Sequence, residues 1–427
     1  MYWSHIRPMR CAVWKYALPT IRLAEFPTRR PPDTTTPGPG KYNTVRTPFS
    51  GGLLHRHSFQ NRKSSLFRIK HYMSTNTTTL TRQPKHYFSS IMVQSEGITH
   101  HIVVALETFF VPVPPLDLPA GHTYELRKYS RTRPDQVAER IKDADIIIMN
   151  IVPITAEVLS SEASPRLKMI ALVASGTDCV DLAACKARGI VVANTPHCNT
   201  VSVAEHAIAL YFAARRSVAL SHTLVQSGKW PGKGSLQETL NGPDGKPPRS
   251  CRDETLGIVG YGAIGKVLES HAKALGMKVL ISGRKGASTT PEGRTPFDTL
   301  IRESSVIVLC LPRSPETMKT ISEVELNLMK PYAVIVNISR GGIVDEQALV
   351  TALRSAKIAG YGTDVYEQEP ASPDNNPLVG PDTADLNLVT TPHVAWCAED
   401  TIANFNRATK ENIEGWLSVG QTKYPVI

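Results

Sequence analysis

From about residue 101 onward, short apolar runs recur along the chain, set apart by glycine, proline and stretches of helical period. Residues 101–106 (HIVVAL), 145–151 (DIIIMNI), 168–173 and 191–193 read as buried strands. Helices are expected between them at 134–141 and 156–162. Residues 201–216 (VSVAEHAIALYFAARR) are apolar on most helical faces, which predicts a helix buried at a domain junction. A second series of strands follows at 256–259, 278–282, 305–311, 333–338, 358–361 and 388–390. Alternating strands and helices predict an α/β protein built on parallel sheets. A last helix at 398–417 is expected to cross back onto the first unit.

Composition changes this picture only at the N-terminus. The chain has 427 residues and a net charge of +10. Between Met1 and Met92 stand 15 Lys and Arg against two acids, Glu25 and Asp33, so the remainder carries about −3. The folded part is therefore not basic, and a nucleic-acid partner is not expected. Residues 1–98, rich in Arg, Pro, Ser and Thr, read as a disordered basic tail. Such a tail resembles a mitochondrial transit peptide, although its prolines and length do not suit a simple one, and Met73 and Met92 are alternative starts. A cytoplasmic protein is expected, with a mitochondrial one as the alternative. Seven cysteines without C-x-x-C or zinc-ligand spacing suit a reducing compartment and neither a disulfide framework nor a metal site. No apolar run is long enough to span a bilayer.

The most chemical stretch is 255–285. Gly260, Gly262 and Gly265, spaced G-x-G-x-x-G, join the strand at 256–259 to a helix beginning Ala263-Ile264-Gly265 and closed by Gly276. This turn aims backbone N–H groups and a positive helix end at a pyrophosphate. At the end of the next strand an NAD-binding unit usually places Asp or Glu, for the ribose 2′-hydroxyl. Here Gly283 stands in that place, followed by Arg284 and Lys285, which would attract a 2′-phosphate. The expected cofactor is NADP(H), with NAD(H) as the alternative; a solvated basic turn is the bland reading of the same residues.

Four further loops carry polar residues that packing does not require. Ser175-Gly176-Thr177-Asp178 could offer backbone N–H groups to a carboxylate, or be an ordinary turn. Arg340, after a buried strand and before two glycines, could clamp a carboxylate or make a structural ion pair. Residues 364–369 hold three acids, Asp364, Glu367 and Glu369, most of which would be solvated in an ordinary loop. Thr391-Pro392-His393 places a histidine at a strand end, suited either to packing or to proton transfer near neutral pH.

Taken in order, the motifs S-G-T-D, V-A-E-H, G-x-G-x-x-G, L-P-x-S-P-E-T, V-N-I-S-R-G, D-V-Y-E-Q-E-P and T-P-H resemble the D-isomer-specific 2-hydroxyacid dehydrogenases over about residues 101–417. That resemblance implies two Rossmann-like units with a cleft between them. A flavodoxin-like substrate unit would comprise 99–219 plus 393–427, and a dinucleotide unit 220–392, with a loop excursion at 229–250. It implies Arg340 on the substrate carboxylate and carbonyl, His393 as acid/base, and Glu369 orienting that histidine and raising its pKa. Ser175 and Gly176 amides would hold the far carboxylate oxygen. Pro312, Ile338, Asp364 and Ala395 would line the cofactor. Cys310 stands where the family often has His, and Ala395 where Gly is common. Trp396 is similar to glycerate dehydrogenases and hydroxypyruvate reductases, and Gly283-Arg284 resembles NADPH-using glyoxylate reductases. Glu369, in place of Gln, is unlike the formate dehydrogenase branch. With 34 residues after His393, the regulatory domain of many phosphoglycerate dehydrogenases is not expected. The expected activity is reduction of a small 2-oxo acid, glyoxylate or hydroxypyruvate, by a homodimer. One alternative is an NAD-preferring dehydrogenase for a bulkier 2-hydroxy acid; another is a non-catalytic, dinucleotide-sensing protein similar to the family's corepressors.

Overall fold

Eleven strands, each parallel to its neighbours, sort into two sheets in the computed structural model, which describes residues 98–427. The basic tail and its methionines lie outside the described residues, apart from Ile98. The first sheet holds β1 (Thr99–Ala105), β2 (His122–Lys128), β3 (Ile146–Met149), β4 (Met169–Leu172) and β5 (Val191–Ala193), in the order β2-β1-β3-β4-β5. The second holds β6 (Thr255–Val259), β7 (Lys278–Ile281), β8 (Val306–Leu309), β9 (Val334–Asn337), β10 (Gly360–Thr363) and β11 (Leu388–Thr390), in the order β11-β10-β9-β8-β6-β7. The helices are α1 (Val137–Ile141), α2 (Leu182–Arg188), α3 (Thr200–Arg215), α4 (Val218–Gln226), α5 (Lys229–Lys233), α6 (Ala263–Ala274), α7 (Phe297–Glu303), α8 (Glu323–Leu328), α9 (Glu346–Arg354) and α10 (Glu399–Val419).

Strands β3, β4, β8 and β9 are buried at every position, as a parallel sheet covered on both faces requires. β2 is different. Its sequence HTYELRK is mostly polar, as suits a strand at the sheet edge, and for that reason the apolar pattern did not announce it. The helix expected at 156–162 does not form; the segment is a series of turns. Its serines explain this, since Ser160 Oγ accepts the Ala163 N–H at 3.2 Å and so competes with helical bonding. β10 begins two positions later than its apolar run suggested.

Two helices tie the sheets together. α3 follows the first sheet in sequence, yet Val203, Ala207, Leu210 and Tyr211 join the core of the second with Ile258, Val308 and Val336. This packing places residues 200–215 with the second sheet, ahead of the boundary expected at 219. α10 follows the second sheet, but Phe405 and Ile413 pack on β1, β3 and β4. Where α3 and α10 meet, Ser202 and Thr401 share a buried hydrogen bond of 3.0 Å. The far end of α3 is anchored by Arg215, which pairs with the buried Glu254 at 2.6 Å and donates to the Tyr332 and Ser305 carbonyls.

The excursion at 229–250 begins with the short helix α5. It then folds under the N-terminal edge of the second sheet, where Arg249 stacks 3.7 Å above the Tyr332 ring. Among the described residues no helix is long and apolar enough to cross a membrane.

Candidate active site

Asn337, Thr363 and Thr390 stand opposite one another at the ends of β9, β10 and β11. Arg340, Glu369 and His393 follow three, six and three positions beyond that row. Three neighbouring strand ends therefore supply the three polar groups singled out in sequence. The loops are in close contact. A Cβ on Gly341 would sit 1.8 Å from both the carbonyl carbon and the oxygen of Tyr366, so only glycine lets the Arg340 loop lie against the Glu369 loop.

His393 Nδ1 lies 2.6 Å from Glu369 Oε2. Glu369 Oε1 accepts the Tyr366 N–H at 2.9 Å, which fixes the carboxylate plane. Nε2 of His393 has no hydrogen-bond partner among the described residues and remains for a ligand. Burial pushes the Glu369 carboxyl up. The hydrogen bond and charge of His393, the Tyr366 N–H and the Arg340 charge more than offset that, so the group is held below the usual carboxylate range.

His393 has φ of 54°, a left-handed conformation that is uncommon outside glycine. Asp364 holds it there. This carboxylate, 1% exposed, accepts the Val394 N–H at 2.9 Å, the Ala395 N–H at 2.8 Å and the Thr391 hydroxyl at 2.6 Å. The oxygens of Asp364, a residue expected to line the cofactor, are turned onto the histidine loop. His206, which the sequence reading passed over inside V-A-E-H, adds to this network with Nε2 2.9 Å from Thr391 Oγ1. A histidine on a buried helix gave no signal of that partnership.

Arg340 reaches from the second sheet to the loop after β4 in the first. Its Nη1 donates to the Ser339 carbonyl at 2.8 Å, and Nε and Nη2 approach Asp178 at 3.4 Å, a long and exposed pair. A Cβ at Gly176 would lie 2.1 Å from Arg340 Nη2, so that backbone abuts the guanidinium. The Ser175 hydroxyl lies 3.2 Å from Asn199 Oδ1, while the Ser175 and Gly176 amides have no acceptor among the described residues. Two free N–H groups beside a guanidinium suit a carboxylate.

On the dinucleotide side, Gly260 has φ of 97°, and a Cβ there or at Gly265 would strike backbone at 2.6 Å. A Cβ at Gly262 would meet nothing within 4 Å. The turn is thus tight inward and open outward, toward the first turn of α6 at Ala263, Ile264 and Gly265, which fits an approaching pyrophosphate. Pro312 is exposed on the loop after β8, whereas Ile338 and Ala395 are buried in the core that α3 shares with the second sheet. Arg284 is exposed and has no ion pair among the described residues. Lys285 corrects the expectation made for it. Its ammonium turns away, to Glu325 at 2.7 Å and the Thr320 carbonyl at 2.9 Å.

Residues 208–395 match the family model described as D-isomer specific 2-hydroxyacid dehydrogenase, NAD binding domain. A glycerate dehydrogenase of Methylorubrum extorquens is 38% identical, over 69% of this chain and 90% of that one. A glyoxylate reductase of Pyrococcus furiosus is 37% identical, over 61% and 75%. Among solved structures, an NADPH-dependent glyoxylate/hydroxypyruvate reductase of Sinorhizobium meliloti in complex with citrate superposes with a TM-score of 0.62 at 27% identity, covering 76% and 97%.

Two outcomes follow from this geometry. Gly341→Ala will force the Arg340 and Tyr366 backbones apart and lower kcat/KM about 100-fold, since a 1 Å displacement of a reacting group costs roughly that much; steady-state kinetics read it. Because the folded Glu369 carboxyl lies below its unfolded value of 4.5, its stabilisation is present above that pH and is lost as pH falls through the folded value. Urea unfolding should therefore show the advantage of wild type over Glu369→Gln shrinking below about pH 4.5; an advantage that grows there contradicts the pairing.

Proposed function

The chain belongs to the D-isomer specific 2-hydroxyacid dehydrogenase family and is a nicotinamide-dinucleotide-dependent oxidoreductase of 2-hydroxy acids, and from that premise we propose that it reduces a small 2-oxo acid, glyoxylate or hydroxypyruvate, with NADPH. The observation that carries this is the 2.6 Å contact between His393 Nδ1 and Glu369, which leaves Nε2 to deliver a proton. In this reading the first sheet with α10 holds the acid and the second sheet holds the dinucleotide. A cytoplasmic location is retained with it.

The substrate carboxylate is bound by the Arg340 guanidinium and the Ser175 and Gly176 amides, which fixes the keto carbon beside His393. The bound dinucleotide supplies the hydride. As negative charge grows on the keto oxygen, Arg340 stabilises it and His393 Nε2 donates a proton, giving the hydroxyl. Glu369 balances the imidazolium and keeps the ring in one orientation. Approach of the two sheets excludes water from the reacting pair. A small acid is supported by the names of the relatives; NADPH is supported by Gly283 and Arg284, where a carboxylate would otherwise stand.

We also place a second copy of the chain against the segment α4–α5. α4 buries none of its residues, and Val218, Val225 and Trp230 are 52%, 43% and 53% exposed. Exposed apolar residues gathered on one arm call for a cover.

His393→Ala should lower turnover of glyoxylate and hydroxypyruvate by at least about 100-fold while NADPH binding, read by fluorescence, is retained. Cofactor binding by wild type with no 2-oxo acid consumed across a panel would favour the sensing alternative. Sedimentation should give twice the chain mass for wild type and the single-chain mass for a Val225→Glu, Trp230→Glu double variant. A monomeric wild type removes the second copy from the reading.

A further inference from the structure

Lys285 is diverted to Glu325, so the pair of cations read from the sequence is incomplete. A replacement arrives from ten residues beyond Arg284. The segment after β7 returns on itself: Ser282 and Thr295 form a bridge, the Gly283 N–H donates to the Thr295 carbonyl, and the Thr295 N–H to the Ile281 carbonyl, both at 2.7 Å. The bridge is parallel, so Arg284 follows Ser282 and Arg294 precedes Thr295, one on each side of it at the end of the strand beside the glycine turn. The Arg294 guanidinium carbon stands 4.5 Å from the centre of the Tyr261 ring, and Tyr261 lies between Gly260 and Gly262. Stacking of this kind holds a guanidinium in place while leaving its edge N–H groups to bind.

Other features of the loop agree with an anion between the two arginines. A Cβ at Gly283 would lie 3.2 Å from the Thr290 methyl, so Thr290 crowds the place where an acidic side chain would hold a ribose 2′-hydroxyl. Neither guanidinium has a hydrogen-bond or ion-pair partner among the described residues. The nearby Glu269 carboxylate is engaged by the Tyr261 hydroxyl and by Lys273 at 2.7 Å. Glu316, on the loop after β8, is within reach of the Arg284 charge, so a second cation is needed to leave the site net positive.

We propose that Arg294, carried back by the Ser282–Thr295 bridge and stacked on Tyr261, is the second specificity-determining residue for the 2′-phosphate of the dinucleotide, forming a two-guanidinium clamp with Arg284. The inference rests on the NADPH reading and names the residues that enforce it. Bidentate guanidinium–phosphate bonds are planar and charge-assisted, so loss of either arginine removes affinity from the phosphorylated ligand alone.

The test is binding. Fluorescence titration of NADPH and NADH, and calorimetry with adenosine 2′,5′-bisphosphate and 5′-AMP, are run on wild type, Arg284→Ala, Arg294→Ala and Arg294→Gln. The Arg294 variants should weaken NADPH and the bisphosphate about 10-fold or more, the range of a charge-assisted hydrogen bond, and leave NADH and 5′-AMP within about twofold. Equal weakening of both ligand pairs would make the stack merely structural and overturn the proposal. An unchanged NADPH preference in the Arg294 variants, lost in Arg284→Ala, would overturn it and leave the NADPH reading standing. Tighter binding of NADH than NADPH by wild type would end both.

Discussion

Parallel pairing of β9, β10 and β11 puts the last residues of all three strands in one row, and the chemistry follows from that row. Parallel strands need a crossover each time, so every C-terminal end emerges on the same side of the sheet. Residues 340, 364–369 and 393 are far apart in sequence but become neighbours because each begins a return from that edge. Contact between the first two loops depends further on Gly341, whose missing side chain is the space the Tyr366 backbone fills.

Two carboxylates on the β10 loop have separate duties because their surroundings differ. Asp364 is sealed, and two backbone amides and a hydroxyl satisfy it, so its charge shapes the chain around a left-handed His393. A buried charge is tolerable only when it is bonded in this way. Glu369 is partly open, with one oxygen on the Tyr366 amide and the other on the histidine ring. One acid holds the loop, and the other holds the imidazole. Strain of the kind seen at residue 393 persists where surrounding bonds outweigh it.

Arg340 is the point at which the two sheets meet chemically, since its guanidinium rests against Gly176 of the opposite sheet. α3 and α10 make the same connection mechanically, each covering the sheet that does not adjoin it in sequence order. The histidine loop lies between them, tied to α3 through His206 and Thr391 and leading directly into α10. A shift of one sheet against the other would therefore be felt at Arg340 and His393.

The buried strands, the long helix at 200–215, the glycine turn and the strand-end loops that carry Arg340, Glu369 and His393 could all be read from the amino-acid order. Apolar runs and fixed spacings are local, and local patterns survive in one dimension. The edge strand β2 and the turns at 156–162 escaped that reading because polar edges and serine self-bonding depend on what lies alongside. The same limit applied to charge. Adjacent Arg284 and Lys285 look equivalent in sequence, yet Glu325 withdraws one, while a bridge thirteen positions long brings Arg294 to the glycine turn. Which charges face a ligand is settled by pairing across space, and only the folded chain decides those partners.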